Sequence, residues 1–126
     1  MLEYIVAQDA DFGDKLAANC AKFEHLCFMG HTHIPGVMEW QDPVGRWLSP
    51  AECGSRYPIT LAKAMINVGS VGQPRDGDRR ASFGVFDSEE RVLEIRRVAY
   101  DYESAARKIR EEGLPQVLGD RLRFGR

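Results

Sequence analysis

The sequence predicts a mixed, layered α/β domain spanning residues 1–126. Short apolar runs bounded by Gly and Pro read as strands, and two runs with apolar residues every three or four positions read as helices. These elements are mixed in order rather than strictly alternating, about six strands with two or three helices, which is the pattern of a layered fold. A composition of 44% apolar and 29% charged residues over 126 positions gives one globular domain with a modest core.

Phe12, Leu16, Cys20 and Phe23 share one helical face, so a helix is expected from about Asp11 to Glu24, with Asp9 or Asp11 as its cap. Lys15 and Lys22 fall off that face and are expected in solvent. The apolar run Leu26–Met29 follows as a short buried strand. Gly36–Trp40 and Arg46–Leu48, joined by the Pro- and Gly-containing 41–45, form an antiparallel pair. Trp40 and Trp47 then pack across strands, or alternatively form a platform for a base. Ser49–Tyr57 reads as a loop, and Leu61–Val68 as a strand entering the Gly-rich segment Gly69–Asp78. Ala81–Asp87 and Arg91–Val98 form a second hairpin, with Phe83, Val85, Leu93 and Ile95 facing a core. Asp101 caps a helix that carries Tyr102, Ala105, Ala106 and Ile109 inward and stops at Gly113, and 114–118 begins a last short turn of helix.

Chemistry is concentrated at Gly30-His31-Thr32-His33-Ile34-Pro35, immediately after the strand at Leu26–Met29. In extended backbone His31 and His33 point to one side and Thr32 to the other, so two imidazoles can address one metal site. The bland alternative is a half-exposed pair at a strand end. The Gly69–Asp78 loop likewise has two readings. It is either a long β-connection relieved by glycines, or a site where backbone N–H groups, Ser70, Gln73 and the Arg75 fork meet a phosphate.

Gly30-His31-Thr32-His33 resembles the last signature of the calcineurin-like metallophosphoesterases, in which Gly-His-x-His gives one histidine to each of two bridged metals. Asn67-Val68-Gly69-Ser70-Val71-Gly72-Gln73-Pro74-Arg75 resembles the Asn-Pro-Gly-Ser-Val-Gly-Gln-Pro-Arg segment of the small prokaryotic phosphodiesterase branch, with Val68 in place of proline. Tyr100-Asp101 through Gly113-Leu114-Pro115 to Arg121-Leu122 is similar to that branch's C-terminal helix and tail. Met1–Tyr4 resembles the segment after an isolated family histidine. The family's Asp-x-His, Gly-Asp-x-x-Asp and Gly-Asn-His are not in the sequence, so the resemblance is to the C-terminal half of the domain.

The resemblance implies part of a two-sheet sandwich flanked by helices, with His31 and His33 as metal ligands and Asn67, Ser70 and Arg75 toward the phosphate. It implies two divalent ions (Mn, Zn, Ni or Fe) and hydrolysis of a phosphodiester or phosphomonoester by metal-activated water. With most ligands lacking, it also implies an inactive isolated chain. The alternative is a non-catalytic module that binds a phosphorylated ligand or a protein. A half-domain exposes a strand edge for an N-terminal half or a second copy to cover. Five basic against eight acidic residues up to Lys63, and twelve against eleven thereafter, argue against a nucleic-acid surface, and Arg121, Arg123 and Arg126 read as a solvated tail. No apolar run approaches the roughly 18 residues of a membrane span. Three unpatterned cysteines and an acidic start without a leader fit a cytoplasmic protein.

Overall fold

The computed structural model describes residues 5–49 and 54–126. Met1–Tyr4 and Cys53, invoked above, lie outside the described residues. Among the described residues, seven strands form two sheets. The first contains β1 (Leu26–Met29), β5 (Lys63–Asn67), β2 (Gly36–Gln41) and β3 (Val44–Leu48), in that order across the sheet. The second runs β4 (Arg56–Pro58), β7 (Val92–Val98), β6 (Ala81–Asp87). The helices are α1 (Gly13–Cys20), α2 (Tyr102–Glu111) and α3 (Gln116–Asp120).

β1 and β5 are parallel, with Leu26 opposite Ala64 and Met29 opposite Asn67, whereas β2 is antiparallel to both β5 and β3. Two cores follow from period-2 alternation in the first sheet. Val37, Ala64 and Ile66 face Tyr57, Leu93 and Ile95 of the second sheet, all buried. Met38, Trp40 and Met65 point the other way, onto Leu16 and Cys20 of α1. The order of layers is therefore helix, sheet, sheet. Glu39, fully buried, accepts hydrogen bonds from Thr60 N (2.6 Å), Leu61 N (3.2 Å) and the Arg46 guanidinium, so its carboxylate is solvated by the chain.

Several expectations are corrected. The helix is shorter at both ends: a 3₁₀ turn occupies Ala7–Asp11, and Phe12 is 60% exposed rather than on the buried face. No side chain caps α1. Asp9 instead accepts from Val6 N at 2.8 Å within the 3₁₀ turn and pairs with Lys15 at 2.8 Å, so Lys15 is tied down rather than solvated. The 49–57 loop contains the start of β4, whose Tyr57 is wholly buried. Phe83 and Val85 lie on the outer face, 36% and 42% exposed, because Phe86 and Gly84 are the residues in register with inward-facing Leu93 and Ile95. Trp40 is in the core behind α1, which leaves it no face for a base.

The C-terminal half holds the expected α2, capped by Asp101, which accepts from Ser104 N at 2.9 Å. Its Ala106 is buried against α3. The C-terminus is not a free tail: Gly77 N donates to Gly125 O at 3.0 Å, and Gly125 fits so closely that a Cβ there would lie 2.8 Å from the Asp78 backbone.

The two sheets share an open side. β1 and β6 are outer strands of their sheets, and Phe28 (55% exposed) meets Phe86 edge-to-face across it, with ring centroids 6.1 Å apart. Among the described residues no helix is long and apolar enough to cross a membrane.

Candidate metal centre

Parallel pairing sets β1 and β5 side by side and releases both chains at the same end of the sheet, where open α/β sheets gather ligand-binding groups. From β1 comes the 30–35 turn with His31 and His33, and from β5 comes the Gly-rich loop from residue 68 to 78. Contacts between the two are extensive. His33 Nδ1 lies 2.7 Å from Gln73 O, and Arg75 N donates to His33 O at 3.2 Å. The Asn67 amide donates to Gly30 O (3.2 Å) and Thr32 Oγ1 (2.8 Å), while its oxygen accepts from Gly69 N at 2.9 Å.

The backbone of the histidine turn differs from the extended form expected. His31 and His33 have φ of 77° and 62°, in the left-handed region, and Thr32 N closes onto Gly30 O at 3.0 Å. For residues with a Cβ this conformation stores on the order of 1–3 kcal/mol each, which the clamp of Asn67, Gln73 and the two buried prolines Pro35 and Pro74 sustains. His31 is exposed and His33 half-buried.

A carbonyl oxygen can only accept, so the His33–Gln73 contact requires the hydrogen on Nδ1 and leaves the lone pair on Nε2. An imidazole whose second nitrogen donates to a backbone carbonyl is the arrangement that orients metal-ligating histidines. That orientation gives His33 one ring nitrogen with the chemistry to ligate a divalent metal. Among the described residues no group of three or more His, Cys, Asp or Glu gathers at one point.

Of the residues expected at the phosphate, Arg75 is exposed, with one guanidinium nitrogen held by Gln73 Oε1 at 2.7 Å. Ser70 Oγ accepts from Gln73 N at 2.9 Å and retains its own hydrogen to donate. Asn67 is buried and its amide is engaged with the chain itself. The sequence reading missed Gln73 O as the partner of His33, since nothing in a one-dimensional pattern links positions 40 apart. Gly69, one of the glycines expected to relieve the backbone of this loop, does so. With φ of 82° and a hypothetical Cβ only 2.8 Å from Ser82 Oγ, that glycine is demanded by both backbone and space. Ser82 completes the seam by donating from Oγ to Val68 O (2.7 Å) and from N to Ser70 O (2.9 Å).

No protein-family model matches the chain. Over its whole length it superimposes on the crystal structure of a metallophosphoesterase from Sphaerobacter thermophilus, with a TM-score of 0.82 and 34% sequence identity. The chain is part of a metallophosphoesterase fold. It spans 52% of that metallophosphoesterase. An uncharacterised protein of Methanocaldococcus jannaschii is 45% identical over 101 residues, 80% of this chain and 40% of that relative. The chain therefore covers about half the length of the proteins it matches.

Proposed function

We propose that this chain is the C-terminal portion of a metal-dependent phosphoesterase, which hydrolyses a phosphodiester or phosphomonoester once a segment with the remaining ligands packs against it. The observation that carries this reading is the His33 Nδ1 to Gln73 O bond, which presents Nε2 as a donor beside His31 in a strained turn. Two divalent ions, of the Mn, Zn, Ni or Fe class, would be held in part by His31 and His33. When bound, such ions supply Lewis acidity toward the phosphate and toward an attacking water.

The chain's own residues orient and bind. Asn67 keeps the histidine turn and the loop in register, and Arg75 and the Ser70 hydroxyl take phosphate oxygens of the ester. The open side along β1 and β6, with Phe28 on it, is where the completing segment or a second copy would pack. A cytoplasmic location accords with Cys20 and Cys27 being unbridged thiols.

The test is hydrolysis of bis(p-nitrophenyl) phosphate with Mn²⁺, by the chain alone and mixed with a chain carrying the Asp-x-His, Gly-Asp-x-x-Asp and Gly-Asn-His segments. Turnover only in the mixture, abolished by His31→Ala, supports the reading. Silence of a mixture in which both chains are folded and associated refutes it and favours a non-catalytic module that binds a phosphorylated ligand.

A further inference from the structure

A second site lies among the C-terminal helices and shares no residue with the histidine turn. α2, α3 and the 3₁₀ turn Arg121–Arg123 surround a cavity of about 590 Å³, within the range of small-molecule pockets. Its floor exists because α3 crosses α2 at Gly119: a Cβ there would approach Ala106 O to 3.2 Å, and any larger side chain would fall between the helices.

Charge in the cavity is lopsided. Arg107 and Arg110, three apart on one face of α2, line the cavity together with Arg123 from the other wall, and the carboxylates lining it are those of Glu103 and Asp120. Arg107 is engaged by Ser104 Oγ (3.1 Å) and by Glu111 (3.7 Å). Neither Arg110 nor Arg123 forms an ion pair among the described residues. Guanidiniums lining one concavity can hold an anion through charge-assisted, bidentate bonds.

The walls also carry two rings. Tyr102 and Phe124 line the cavity, and each bears a guanidinium: Arg79 stands 4.7 Å from the Tyr102 centroid, and Arg123 and Arg126 each stand 5.8 Å from that of Phe124. Rings beside a guanidinium cluster suit a ligand with an anionic end and a flat apolar end. We propose that this cavity binds a small phosphorylated aromatic molecule of the nucleoside monophosphate type, its phosphate on Arg107, Arg110 and Arg123 and its ring against Tyr102 and Phe124.

The test is a ¹H–¹⁵N titration of the chain with AMP in EDTA, which removes any metal from the histidines, with adenosine and inorganic phosphate as separate arms. The proposal expects AMP-induced shifts confined to residues 102–126 and their contacts at Arg79. It expects at least tenfold weaker binding in Arg110→Ala/Arg123→Ala, unchanged binding in His31→Ala, and weaker binding of either half-ligand. Should the double variant lose its dispersed spectrum, the single exposed change Arg110→Glu serves in its place. Absence of shifts at 102–126, AMP binding indifferent to the arginine variants, or adenosine binding as well as AMP would each overturn it.

Discussion

His33 Nδ1 and Gln73 O meet at 2.7 Å across 40 residues of sequence, and that contact fixes which nitrogen of the imidazole faces outward. The expected outcome is a folded chain in which neutral His33 carries its hydrogen on Nδ1. Long-range ¹H–¹⁵N correlation spectra at alkaline pH report the tautomer directly, and a predominant Nε2–H form would show that the loop does not orient the ring.

Asn67→Ala removes three hydrogen bonds from a buried position and leaves Gly69 N without its acceptor. At roughly 1 kcal/mol per bond, a loss of about 2–3 kcal/mol in unfolding free energy is expected. Urea denaturation measures it. A loss below about 0.5 kcal/mol would mean that the turn and the loop do not depend on this clamp.

The reasons for success and failure in reading the sequence are physical. The Gly-His-x-His and the Asn67 to Arg75 segment were legible because their residue types and order are specific, and α2 was legible from Asp101, its periodic face and Gly113. The left-handed histidines were not, since period-2 reasoning presumes the extended backbone that Thr32 N breaks by closing onto Gly30 O. Alternation paired Phe83 with Val85 correctly but could not say which face was inner. Only the register with Leu93 and Ile95 decides that. β4 is three residues long, too short to show any period, and owes its place to pairing with β7.

Arg80 hydrogen-bonds to the Asp78 side chain and holds its carboxyl down at about 2, below the ordinary 3.8. A carboxylate whose pKa is depressed on folding contributes stability that is present above about 3.8 and is lost as pH falls through about 2. Because Gly77 and the Asp78 backbone also seat Gly125, the C-terminal turn should loosen in that acid window. In Arg80→Ala the Asp78 carboxyl is expected to titrate higher than in the parent, though still held down by the backbone N–H of residue 80 and by Arg97, read by carboxyl ¹³C NMR. An unchanged midpoint would remove Arg80 as the cause.

Phe28 is more than half exposed, on the outer edge strand of its sheet. Phe28→Asp should destabilise the isolated chain by only about 1 kcal/mol, the scale of its lost edge-to-face contact with Phe86. It should nonetheless weaken association with a completing chain at least tenfold, measured by sedimentation of the mixture. Equal association of variant and parent would place the contact elsewhere.

The most direct measurement is a Zn²⁺ titration of the chain, followed by the ring ¹⁵N resonances of His31 and His33. The account predicts weak binding that shifts the His33 Nε2 resonance while Nδ1 keeps its hydrogen, and a weaker His33 response in His31→Ala. Ring nitrogens indifferent to Zn²⁺, or a response confined to His25, would contradict a metal-binding role for this turn.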